Sequence, residues 1–243
     1  ESGGATGWAA TDWMEEYVLR YGGEAQYTAW WKGKLAWSSP TVQKAAKKFA
    51  DIALTSGNVN GGGKAIAATG FGATANLFAT NKNKCFMMRQ GSFITDFFPD
   101  DVKAEYKANN FSRVGVFKLP APAGTTDAVL GGGDLAAAFD ADTATQKVLN
   151  FILSDKLGQG AMLANYPSYL SAHKTFPSAG YKNPITKNIA GILASAKLFG
   201  FDGSDLAPAV VNATQWTELT NWVAGKKTQK QAFAAIDASW SKA

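Results

Sequence analysis

The stretch Phe201-Asp-Gly-Ser-Asp-Leu206 sets two carboxylates three residues apart among turn-forming residues, and chemistry could start there. Asp202 and Asp205 could serve as acid and base of a glycoside hydrolase, accept hydrogen bonds from sugar hydroxyls, or cap the turn through their own backbone. Carboxylates this close on one loop do not naturally straddle a glycosidic bond, so hydrolysis is the weakest of the three. A Ser-His-Asp or Cys-His mechanism would depend wholly on His173, the only histidine, whose setting in Ser171-Ala-His-Lys174 reads as a polar surface turn. One histidine and one cysteine, Cys85, do not supply the usual zinc ligands. No EF-hand loop or Walker A pattern is present. Gly70-Phe-Gly72-Ala-Thr-Ala75 lacks the third glycine of a dinucleotide loop and follows a poor strand. No catalytic residue, metal ligand or cofactor is therefore assigned. Asn110-Phe-Ser112 and Asn212-Ala-Thr214 fit the glycosylation triplet, which arises often by chance.

The 243 residues are 46% hydrophobic and 18% charged, a globular composition with room for one large domain or two small ones. The net charge of +5 is scattered over Lys32 and Lys34, Lys44 with Lys47 and Lys48, Lys82 and Lys84, and Lys226 and Lys227. A nucleic-acid binder would gather such charge in one patch, so that class is set aside. No apolar run is long enough to span a membrane. The 25 glycines suggest close backbone approaches, and some of the 8 tryptophans are available to a ligand. A chain that opens on Glu1-Ser2-Gly3-Gly4 without an initiator Met reads as processed, truncated or cut. An odd cysteine in an exported protein suggests a missing partner.

The elements that must position these groups read as follows. Thr11 to Tyr21 is a helix with capping-box spacing at Asp12 and Glu15, an aromatic stripe at Trp13, Tyr17 and Tyr21, and a stop at Gly22-Gly23. The stripe is read as core. Ser39-Pro40 starts a second helix that buries Val42, Ala45, Ala46 and Phe49, with Gly57 beyond its end and a loop over 58–64. Lys84 to Met88 reads as a buried strand, Arg113 to Leu119 as another, and Ala128 to Leu130 as a strand that pauses on Gly131-Gly-Gly-Asp134 and resumes over Leu135 to Phe139. Helices follow over Thr143 to Leu153, from Asn183-Pro184 through Leu193, over Ala213 to Val223 with Trp216 and Trp222, and after the cap Thr228 with Phe233, Ile236 and Trp240 on one side. Helices interspersed with short apolar strands give an α/β class.

Five stretches, in order, carry a resemblance: Glu1-Ser-Gly-Gly-Ala-Thr-Gly-Trp-Ala-Ala-Thr-Asp-Trp13, Cys85-Phe-Met-Met-Arg-Gln90, Leu130-Gly-Gly-Gly-Asp-Leu135, Phe201-Asp-Gly-Ser-Asp205, and the Trp216 helix with Trp222. Together they resemble the alpha-glucoside-type extracellular solute-binding proteins of bacterial ABC sugar importers. The resemblance implies the type II periplasmic-binding-protein fold, with two α/β lobes, an interlobe cleft and a hinge of crossing segments. It also implies that most of the N-terminal lobe is missing from this chain. Residues 1–130 would begin the second lobe, 131–176 would contain a hinge crossing and a return to the first lobe, and 177–243 would complete the second lobe. Cys85 would have its disulfide partner in the missing segment.

On this resemblance the protein is a binder and not an enzyme, exported to the periplasm or cell exterior. It would hold a sugar, as a glucose-containing disaccharide, and pass it to an ABC permease in the inner membrane. Trp8 and Trp216 would stack on the sugar. Arg89 and Gln90 would donate to hydroxyls, unless Arg89 is instead a salt bridge beneath the cleft floor. Asp134, Asp202 and Asp205 would accept, and Gly132 and Gly133 would expose backbone groups. The alternatives are a glycosidase-like hydrolase using Asp202 and Asp205, and an engineered sugar-sensor fragment.

Overall fold

A computed structural model describes residues 7–78, 85–108, 110 and 112–243. Its elements in chain order are α1 (Trp8–Trp31), α2 (Pro40–Ala53), α3 (Gly62–Ala68), α4 (Phe71–Phe78), α5 (Asp100–Lys107), β1 (Ala128–Gly131), α6 (Thr143–Ile152), α7 (Ala161–Asn165), α8 (Pro184–Ala194), β2 (Leu198–Phe201), α9 (Gly203–Leu206), α10 (Ala209–Val223) and α11 (Gln229–Ser239). The chain divides into two compact units. Unit 1 is Glu1–Arg89, Leu119–Gly131 and Ala196–Ala243, and unit 2 is Gln90–Lys118 and Gly132–Ser195.

Unit 1 is built around α1. The expected stop at Gly22-Gly23 is a kink instead: the helix continues to Trp31, and Gly23 alone leaves helical geometry at φ 64, ψ −173. Glycine tolerates that conformation, and the helix resumes because Tyr27 and Trp30 both reach the core. Asp12 and Glu15 are not a capping box, since the helix begins at Trp8 and both lie inside it. The core joins Met14, Val18 and Leu19 of α1 to Val42, Ala45, Ala46 and Phe49 of α2, Leu219 and Trp222 of α10, and Phe233 and Ile236 of α11. Its aromatic centre is Trp37, with ring centroids 4.9 Å from Trp30 and 4.9 Å from Phe233. The expected stripe packs as core: Trp13 stacks on Tyr17 at 5.9 Å, and Tyr17 is buried.

Thr228 caps α11 through a complete capping box with Gln231. Ser39 sits at the N-cap of α2 but makes no side-chain cap hydrogen bond. The loop expected to reach Lys64 gives way to α3 at Gly62, and α10 starts earlier than expected, at Ala209.

β1 and β2 pair in parallel, Ala128 opposite Leu198 and Gly131 opposite Phe201, and lie against α1. A Cβ on Gly200 would come within 2.6 Å of the Leu19 side chain, so glycine lets β2 press onto the helix. The other expected strands are absent among the described residues. Cys85 to Met88 is irregular, with Phe86 and Met87 exposed, and Arg113 to Leu119 and Leu135 to Phe139 have no ladder partner. Lys84 lies outside the described residues. An apolar run is a strand only when another strand satisfies its backbone groups, and that partnership is non-local.

Unit 2 has smaller packed contacts. Asn183 caps α8 by accepting from the Ile185 and Thr186 backbone N–H groups, and its amide donates to the Tyr106 carbonyl at 2.7 Å. The Tyr106 and Thr186 hydroxyl oxygens are 2.6 Å apart, fastening α5 to α8. Phe176 and Tyr181 pack at 4.9 Å. Asp142 caps α6 by accepting from the Ala144 and Thr145 N–H groups, yet no residue of α6 is buried. No helix among the described residues is long and apolar enough to cross a membrane.

Candidate functional site

The start of α1 meets α10 backbone to backbone. Gly7 has φ 25, and a Cβ there would lie 2.3 Å from the Trp216 carbonyl oxygen and 2.4 Å from its Cα. No side chain fits, and the positive φ independently favours glycine. The adjacent ring of Trp8 is half-buried and meets Phe71 of α4 edge-on at 5.3 Å. Trp216 is also half-buried, and its buried indole N–H meets no acceptor among the described residues. The two tryptophans singled out in the sequence are thus neighbours along the backbone contact. Residues 1–6 of the Trp8 segment lie outside the described residues.

One turn further, α1 becomes acidic. Thr11 Oγ1 donates to the Trp8 carbonyl at 2.7 Å and lies 3.2 Å from Ser204 Oγ. Asp12 Oδ2 accepts from Arg89 Nη1 at 3.3 Å, and Glu16 Oε2 accepts from Arg89 Nη2 at 3.2 Å. The Arg89 guanidinium also covers the Trp13 ring, 5.4 Å from its centroid. Behind it, Arg20 Nε donates to Glu16 Oε1 at 2.7 Å and Arg20 Nη2 to the Ala128 carbonyl at 3.1 Å.

Glu15 fixes the corner between β2 and α9. The Gly203 and Ser204 N–H groups donate to its two oxygens at 3.0 and 3.1 Å. Tyr27 donates to the Phe201 carbonyl at 2.7 Å and approaches Glu15 Oε2 at 3.4 Å. Asp202 Oδ1 accepts from Ser204 Oγ at 2.8 Å and from the Asp205 N–H at 3.1 Å, so Asp202 caps the turn. The Asp205 carboxylate is exposed.

Asp12, Glu15 and Asp202 present carboxylate oxygens within 4.8 Å of one another, the one group of metal-ligating type among the described residues. Glu15 is filled by its backbone donors and Asp12 is paired with Arg89, so the set is organised for hydrogen bonding. Burial drives the Asp12 carboxyl up, Arg89 opposes this in part and Asp202 adds to it, leaving it at about 6. Burial raises Glu15 well above the usual carboxylate range, with Asp202 and Asp12 acting in the same direction. For Arg89, burial works against the charge, but Asp12 and Glu16 outweigh it and hold the guanidinium raised.

Of the residues expected at a site, Trp8, Arg89, Asp202, Asp205 and Trp216 fall in unit 1 around the N-terminal end of α1, whereas Gln90, Gly132, Gly133 and Asp134 fall in unit 2. There the Gln90 side chain accepts from the Gly91 N–H at 2.8 Å, and Gly132, Gly133 and Asp134 are exposed. Asp12, Glu15, Ser204 and Phe71 escaped the sequence reading as site residues. The signal for Asp12 and Glu15 was a set of charged residues, with Glu16 and Arg20, on a helix whose other residues are largely aromatic and apolar; capping spacing masked it. Phe71 gave no signal.

No protein-family model matches the sequence, and no solved structure matches it. Over 98% of its length the chain is 32% identical to the alpha-glucosides-binding periplasmic protein AglE of Rhizobium meliloti. Over its full length it is 30% identical to the osmoprotective compounds-binding protein GgtB of Synechocystis. It spans 51% of the first and 56% of the second, about half the length of the curated relatives it matches. Along that half, the chain is similar to two binding proteins, one of them periplasmic, in line with the resemblance carried by its motifs.

Proposed function

We propose that unit 1 carries one wall of a sugar-binding site, in a protein that binds a glucose-containing disaccharide reversibly and delivers it to an ABC permease. The observation that carries this is the half-buried Trp8 one helical turn before Asp12 on α1, with the Asp12 carboxylate close to that of Asp202. A sugar has apolar C–H faces that pack on an aromatic ring and a rim of hydroxyls that donate to carboxylates. Trp8 is the stacking surface, with Phe71 bracing its edge and Trp216 beside it. Asp12 and Asp202 are the acceptors. Each has one oxygen engaged by the protein, and its second oxygen takes no hydrogen bond from the described residues. The names of AglE and GgtB, which bind alpha-glucosides and osmoprotective compounds, support a polyhydroxylated ligand. A hydrolase using Asp202 and Asp205 has less support, because the Asp202 carboxylate caps the short helix in which Asp205 lies.

Calorimetry on the full-length protein tests the reading. W8A should weaken disaccharide affinity by at least about tenfold. Affinity equal to that of the parent protein refutes the assignment of Trp8. Recovery of cleaved sugar after incubation with disaccharides would favour the hydrolase instead.

A further inference from the structure

We propose that Arg89 is a positioning residue for Asp12, anchored from behind by Glu16 and Arg20. The inference rests on the reading of the start of α1 as a sugar-site wall. Each terminal nitrogen of Arg89 gives one N–H to a carboxylate, to Asp12 at 3.3 Å and to Glu16 at 3.2 Å, and the guanidinium lies over Trp13. These contacts hold the guanidinium on edge and face, with the side chain 17% exposed, so its position relative to Asp12 is fixed by the protein.

Arg20, Glu16, Arg89 and Asp12 form a chain of alternating charge. Side-chain exposure along it runs 1%, 7%, 17% and 16%, so the chain is rooted in the interior and opens toward Asp12. The root is fixed twice. Arg20 Nη2 donates to the Ala128 carbonyl, and the Arg20 carbonyl accepts from the Thr126 N–H at 3.0 Å. Buried ion pairs are costly to desolvate, and a chain of them is a poor way to gain stability alone. Here it delivers a cation to one carboxylate.

The groups facing Asp12 are Glu15 and Glu16 on its own helix, Asp202 and Asp205 from the β2–α9 corner, and Arg89 from the segment that crosses α1. Arg89 is the one cation among them. Without it, Asp12 would keep its proton to higher pH and change from a pure acceptor to a group that also donates, altering the contact in kind.

The test is a carboxyl-carbon NMR titration of Asp12 in the full-length protein between about pH 4 and pH 9. The Asp12 midpoint is expected at about 6 in the parent protein. R89M should raise it by about one pH unit or more, and R89K, which keeps the charge, should restore most of the shift. E16Q, which removes the carboxylate competing for Arg89, should lower it. An unmoved midpoint in R89M, or a shift of the same sign in E16Q, overturns the proposal. Calorimetry with maltose, sucrose and trehalose on the same proteins separates the two layers. If none of the three binds while the midpoints move as expected, the sugar reading fails and the positioning role stands. If a sugar binds and the midpoints do not move, the positioning role alone fails.

Discussion

Replacing Asp12 with asparagine should stabilise the folded protein at neutral pH, and the size of the effect should follow pH. The carboxyl is raised from 3.8 to about 6 in the folded state, chiefly by burial. A shift of that size makes ionised Asp12 cost about 3 kcal/mol of stability at pH 7. The folded state holds the proton more tightly than the unfolded chain, so the cost is small below pH 3.8, grows from there to about pH 6, and is complete above that. Asparagine carries no such cost, and the favourable pull of Arg89 on the charge is already contained in that shift. The expectation is a gain of about 2–3 kcal/mol at pH 7. Urea denaturation of the parent and D12N proteins, at full length, at pH 7 and pH 4 measures it. The difference between the two proteins should shrink by about 2–3 kcal/mol on acidification. A difference that stays constant with pH, or favours D12N more at pH 4, refutes the argument that Asp12 is a strained carboxylate kept for its chemistry.

Two further substitutions probe the frame around the site. Y27F removes the hydroxyl that donates to the Phe201 carbonyl at 2.7 Å, and it should destabilise the protein by about 1–2 kcal/mol in the same urea assay; no loss would mean the β2–α9 corner does not depend on this bond. G7A forces a Cβ to within 2.3 Å of the Trp216 backbone and should both destabilise, by about 1–3 kcal/mol, and weaken disaccharide binding through displacement of Trp8. Unchanged binding by G7A would detach Trp8 from the α1–α10 contact.

What was legible in the sequence was what is decided locally. Asn183-Pro184 and Thr228 announce helix starts because a cap and the backbone it satisfies lie within one turn of each other. The apolar side of α2 was readable from period alone. Strands were read less well: Ala128 to Leu130 is β1 as expected, but Leu198–Phe201 went unread and Arg113 to Leu119 has no ladder partner among the described residues. Asp12 and Glu15 mislead for a related reason. Glu15 does cap backbone N–H groups, but those of Gly203 and Ser204 and not those of its own helix. The family motifs singled out Trp8, Arg89, Asp202 and Trp216, which all fall in unit 1, and the Arg89 side chain there is engaged by Asp12 and Glu16.

Glu15 and Gly203 are 188 residues apart in the chain, and Thr11 and Ser204 are 193 apart. The wall is therefore closed by contacts between opposite ends of the sequence, whose loop closure makes them among the slowest to form. During synthesis Asp12 and Glu15 emerge well before the 201–205 corner and stay hydrated until it follows. They acquire their unusual proton affinity only when the 201–205 corner arrives. Proton uptake by these two residues thus times the last step of assembly, and a stopped-flow pH indicator in weak buffer would register it as a phase coincident with completion of unit 1.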